Sequence, residues 1–286
     1  MFSKLLKHEW KANAGLMGVL SLAAAGVGIL GTIALRVLIN YGDRIAESDS
    51  VFVLLLFPLV LLVGGAFLSL VVYAAAVSFV LLFRFYKNKF TDEGYLTFTL
   101  PVKTHYIFLS SALNMVIWMV ISMVLVVLLF SVMILCGTAT QGLINQDIIN
   151  NFDSVDKVWK GVSSILGEIV GDGYGIIMLL TLIITPIFSV VLSMTCITLG
   201  AVVAKKHKIL AAIGISYGAS IVLSIISSVV TSLPSFLLLG KPNPGMEDFQ
   251  VFYTISGVLQ LVIYVGVIVG GYFLSTCLMK KKLNLP

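Results

Sequence analysis

The sequence predicts an all-α integral membrane bundle of six transmembrane helices. Three observations lead there. Of the 286 residues, 59% are hydrophobic and 11% charged, where soluble domains carry about 25% charged residues. The apolar residues gather into runs at about 14–39, 51–83, 106–136, 174–204, 209–232 and 249–279. Each run exceeds the roughly 20 residues that cross about 30 Å of hydrocarbon. The basic residues fall between the runs in alternation, so one side of the bundle collects most of them. No repeat and no linker divides residues 1–286, which read as a single transmembrane domain.

The first element is residues 1–13, MFSKLLKHEWKAN. Phe2, Leu5, Leu6 and Trp10 share one helical face, and Lys4, Lys7, His8 and Lys11 fall elsewhere. Such an amphipathic helix lies in the headgroup layer. The run behind it outlasts the apolar core of a signal peptide, about 7–15 residues, and is read as a retained first span. The later runs are long enough to expect tilt or interfacial ends. The fifth ends at about 232 or turns back at Pro234, and the sequence leaves both open for 232–248.

Charge sets the orientation. One side holds the N-terminal segment, the 84–105 loop, the KKHK stretch at 205–208 and the C-terminal KKK, together 13 Lys and Arg against three acids. The other holds Arg36, Arg44, Lys157, Lys160 and Lys241 against ten acids. The Lys- and Arg-rich side is the cytoplasmic one. Both termini are then expected inside a cell (plasma) membrane, which fits an even number of spans.

On the outer side, residues 137–173 form a long insert. Val155, Val158, Trp159, Val162, Ile165, Leu166 and Ile169 recur there at helical spacing. Asp153 or Ser154 starts this amphipathic helix and Gly171-Asp172-Gly173 ends it. Residues 240–248 read as a turn.

The spans hold almost no ionisable side chains; Arg36 sits near one end and snorkels outward. A charge at mid-bilayer costs about 2.5–3.5 kcal/mol on the most lenient scale and marks an ion or proton path when present. Proton antiport, charged pores and intramembrane proteolysis are therefore disfavoured. His8, His105 and His207 all lie at one edge, and Cys136, Cys196 and Cys277 share no ligand spacing, so no metal is expected. No P-loop pattern occurs. Small polar residues do stud the spans. Asn114, Thr181, Thr185, Ser189 and Ser224 are candidates to line a path, beside the commoner role of such groups in helix packing. Gly214-x-x-x-Gly218 and Gly266-x-x-x-Gly270 permit close helix contacts.

The sizeable polar segment on the basic side is Arg84–Ser110, RFYKNKFTDEGYLTFTLPVKTHYIFLS. Thr91 can cap a helix by accepting a backbone N–H, and Asp92 and Glu93 suit the positive end of its dipole. Pro101 ends the helix by disfavouring helical backbone at Leu100. Tyr95 with Phe98, and Leu96 with Leu100, can share a face. Between a solvated loop and a docking knob for a soluble partner, the residues alone do not decide.

The stretch Asp92–Ser110 resembles the segment after the second span in permeases of type-2 class ABC exporters, through Glu93, Gly94, Leu96, Leu100, Pro101 and Val102. The layout is similar too, with an amphipathic N-terminal helix, six spans and both ends inside. The resemblance covers most of the chain as topology and about twenty residues as motif. It implies that Thr91, Asp92, Glu93, Gly94, Tyr95, Leu96, Phe98, Leu100 and Pro101 form a short cytoplasmic coupling helix seated in a groove of a separate ABC ATPase subunit. It implies a second permease, identical or related, and ATP with magnesium on the ATPase, with no cofactor on this chain. The chain departs from that family in placing its larger outer insert between the third and fourth spans rather than the fifth and sixth. An amphipathic or hydrophobic cargo (peptide, lipid or drug) suits the uncharged interior; no nucleic-acid partner is expected. The alternative is a membrane solute-binding subunit of a multi-subunit importer.

Overall fold

The structure, a computed structural model, describes residues 2–46, 50–91, 94, 103–138, 173–204, 208–236 and 245–281. Six long helices account for nearly all of them: α1 (Phe2–Ala46), α2 (Ser50–Phe90), α3 (Thr104–Thr138), α4 (Gly173–Val203), α5 (Lys208–Ser232) and α6 (Met246–Lys281). A 3-10 turn, Leu233–Ser235, follows α5, with Pro234 buried in it. All six helices are long and apolar enough to cross a membrane, and among the described residues there is no strand. The chain is an all-α membrane helical bundle. Lipid enforces this choice, because a helix satisfies its own backbone groups where no water can.

Helix α1 differs from expectation. The interfacial helix at residues 1–13 is not a separate element; α1 runs unbroken through 45 residues, about 68 Å at 1.5 Å per residue. Its junction, Asn13-Ala14-Gly15, holds no proline, and one glycine costs about 1 kcal/mol in a helix. That is too little to break backbone bonds that lipid cannot replace. Pro58 and Pro186 likewise lie inside α2 and α4 without ending them. Most of the outer insert (139–172), the 205–207 connection and residues 237–244 lie outside the described residues.

The chain divides into two compact units. One comprises Lys7–Leu81 and Ile117–Val158. Within it, Ser21 meets Tyr73 (hydroxyl oxygens 2.9 Å apart) and Gly31 abuts Ala66, so α1 and α2 run antiparallel. Trp10 meets Trp118, Gly28 meets Leu129 and Gly31 nears Met133, so α1 and α3 run parallel. Helix α2 buries Val63, Ala66, Leu70, Tyr73, Val77 and Leu81, a spacing of three and four that makes one face.

The other unit comprises Met1–Leu6, Leu82–Val116 and Trp159–Pro286. Here Ile177 faces Gly257, Phe188 stacks on Tyr264 at 4.2 Å, and Thr195 faces Gly271, so α4 and α6 run parallel. Helix α5 opposes both, with Gly200 on Ala212 and Ser227 on Gln260. Phe2 lies 6.2 Å from Tyr106, and Phe108 lies 5.8 Å from Tyr272. The start of α1, the start of α3 and the end of α6 therefore share one end of this unit.

Small residues decide where helices approach, since apolar side chains gain little from leaving lipid for one another. A Cβ at Gly200 would stand 2.6 Å from the Ala212 Cα and N. The two Gly-x-x-x-Gly pairs do not serve this purpose within the chain: Gly214, Gly218, Gly266 and Gly270 have nothing within 4 Å of a built Cβ. They lie on exposed faces of α5 and α6.

We expect Gly200→Val to lower the unfolding free energy by about 1–3 kcal/mol through overpacking. Gly214→Ala, in open space, should hold it or raise it by about 0.5–1 kcal/mol. Thermal melts of the detergent-purified chain distinguish the two; equal melting points would contradict the close α4–α5 approach.

Candidate functional site

The segment that the sequence marks for docking leaves the end of α2. Phe85, Lys89 and Phe90 are buried there, and the Phe85 and Phe90 rings meet edge-on at 5.7 Å. The last carbonyls of a helix lack intrahelical donors. Thr91 supplies one: its hydroxyl donates to the Lys87 carbonyl. Thr91 thus closes α2 behind it, where the sequence suggested a cap for the helix ahead. The Gly94 N–H donates to the Thr91 carbonyl at 2.8 Å, so the chain turns tightly at once, and Gly94 is buried. Asp92, Glu93, Tyr95, Leu96, Phe98, Leu100 and Pro101 lie outside the described residues. The chain is described again from Lys103, whose carbonyl accepts from the Tyr106 N–H at 2.9 Å as α3 begins. Thr91, Gly94 and Lys103, the described residues in and beside the segment, belong to the unit that also carries α4, α5 and α6.

The path-lining candidates distribute differently. Thr181 donates to the Met178 carbonyl, Thr185 to that of Thr181, and Ser224 to that of Ile221, at 2.8, 2.6 and 2.9 Å. Each hydroxyl is satisfied on its own helix, as isolated hydroxyls in lipid tend to be. Ser189 is half-buried on the same helix as the two threonines. Asn114 stands apart on α3, 1% exposed, with its Oδ1 unpartnered. These side chains do not converge on one point; Asn114 alone among them is a buried polar group awaiting a partner.

Sequence reasoning missed the polar contacts that do cross between helices. Ser275 donates to Thr195 Oγ1 at 3.1 Å, and Thr198 donates to the Ser275 hydroxyl at 3.4 Å, all three buried between α4 and α6. Ser227 donates to Gln260 Oε1, and Ser256 to the Thr231 carbonyl at 3.0 Å, tying α5 to α6. Gln260 was the available signal, a lone amide in a long apolar run. Serines and threonines gave none, because packed and lipid-facing hydroxyls look alike in sequence.

Among the described residues no group of three His, Cys, Asp or Glu side chains is placed to hold a metal ion. No family model, curated protein or solved structure matches the chain. The functional reading accordingly rests on the residues and geometry above.

The α4–α6 hydroxyl cluster should couple energetically. Interhelical hydrogen bonds in membranes average about 0.6 kcal/mol in double-mutant cycles. A Thr195→Val, Ser275→Ala cycle should return a coupling of about that size, whereas additive effects would show that the cluster holds nothing together.

Proposed function

We propose that this chain is the transmembrane permease subunit of an ATP-driven exporter of the ABC type, coupled to a separate ATPase through residues 91–101. The observation that carries the reading is the segment Asp92–Val102, which follows a helix end sealed by Thr91 and turned at Gly94. A tight turn directly behind a closed helix end suits a contact with a partner subunit. Six long apolar helices with an almost uncharged interior suit passage of an amphipathic or hydrophobic cargo. The chain's own sequence lacks a P-loop, so ATP and magnesium belong on the partner. A second copy or a relative completes the pathway.

The shared end of Phe2, Tyr106 and Tyr272 supports a layout with both termini on one face. The 13 Lys and Arg that the sequence assigns to the side of the termini make that side the cytoplasmic one of a cell (plasma) membrane, and an ATPase there meets the segment directly.

Orientation is tested by introducing Ser154→Cys or Asn284→Cys into a cysteine-free chain in intact cells. A membrane-impermeant maleimide should label the first and not the second; the reverse pattern inverts the topology and removes the docking argument. Coupling is tested by co-expression with candidate ABC ATPases and capture on a tag. Glu93→Ala with Tyr95→Ala should reduce ATPase recovery about tenfold or more, as loss of interface anchors worth at least 2 kcal/mol would. Undiminished capture and export would refute the docking role of this segment.

A further inference from the structure

A second polar feature lies at a contact between two tryptophans. In the unit formed by Lys7–Leu81 and Ile117–Val158, the indoles of Trp10 on α1 and Trp118 on α3 stack at 4.6 Å and 20°. Asn13, three residues on from Trp10 and thus on the same face of α1, is 7% exposed. Its Oδ1 and the Trp118 Nε1 are both shut off from solvent, and neither has a hydrogen-bond partner. One is an orphaned acceptor and the other an orphaned donor, and they do not satisfy each other. Leaving such a group buried forfeits its hydration with nothing in return. Neighbouring hydroxyls do find partners: Ser122, one turn beyond Trp118, donates to the Trp118 carbonyl at 2.7 Å, and Ser21 pairs with Tyr73. Of the three unpartnered buried atoms among the described residues, Asn13 Oδ1 and Trp118 Nε1 belong to this unit, and the third, Asn114 Oδ1, belongs to the other.

We propose that the Trp10–Asn13–Trp118 cluster is a binding site for the neutral hydroxyl of an amphipathic molecule, closed by the indole stack. The unmet atoms select the chemistry. A hydroxyl is the smallest group that meets both, since its O–H donates to Asn13 Oδ1 while its oxygen accepts from Trp118 Nε1. A carboxylate or phosphodiester has no proton for the amide oxygen. A quaternary or protonated amine has no lone pair for the indole N–H. The indole faces supply apolar walls beside a polar tip, which suits a molecule that is part alkyl and part hydroxyl. Because the two atoms are sealed, the stack parts to admit the group. Water offers the same hydroxyl chemistry, so the test must separate a lipid-borne hydroxyl from water.

The site is tested on the chain alone, so the result is independent of the export reading. Trp159→Phe leaves Trp10 and Trp118 as the only indoles of the three in the chain. The protein is reconstituted in phosphatidylcholine vesicles and titrated with diacylglycerol brominated on its acyl chains, or with equally brominated phosphatidylcholine, which lacks a free hydroxyl. Diacylglycerol should quench the tryptophan emission at a several-fold lower mole fraction. Asn13→Leu should reduce that preference about three- to tenfold, the span of one net hydrogen bond. Trp118→Phe, which keeps a ring for Trp10 to report against, should reduce it similarly. Equal quenching by both lipids, or a preference untouched by Asn13→Leu, overturns the proposal and leaves water as the group the cluster serves.

Discussion

In hydrocarbon every polar group must find its partner inside the protein, and this constraint organises the structure. It explains why the backbone is helical almost throughout the described residues, and why α1 passes Gly15 and α4 passes Pro186 without stopping. It also divides the hydroxyls into two kinds. Those of Thr181, Thr185 and Ser224 fold back onto their own helices and ask nothing of a neighbour. Those of Ser227, Ser256 and Ser275 reach another helix and hold it. The few groups that escape the rule, at Asn13, Asn114 and Trp118, are where the structure leaves room for chemistry.

Close packing follows the second rule of a membrane interior, that helices approach where side chains are smallest. Gly31 against Ala66 and Gly200 against Ala212 set the approach of α1 to α2 and of α4 to α5. In one unit α2 opposes α1 and α3 in direction, and in the other α5 opposes α4 and α6.

The spans were legible because a run of apolar residues has no other stable use. The boundaries of α3, α4 and α5 lie within two residues of those read from sequence. The continuity of α1 was not legible, because an amphipathic stretch followed by an apolar one has the same pattern whether or not a bend separates them. The close-packing glycines were misassigned for a related reason. Gly214 and Gly218 have the right spacing but face outward, while Gly31, Gly200 and Gly271 act singly and carry no motif. The stacking role of Trp10 was hidden by its setting in a basic segment, where it passes for an interfacial residue. Of the docking segment, Thr91 moves from the start of the next helix to the end of α2, and its other residues except Gly94 lie outside the described ones.

The central claim is that this chain moves cargo only with energy supplied by another subunit. Reconstitution tests it most directly: the purified chain in liposomes, with and without a candidate ABC ATPase, assayed for ATP-dependent movement of a fluorescent amphiphile against its gradient. Movement that appears only when ATPase and ATP are both present is the predicted result. Uphill movement by the chain alone contradicts the account.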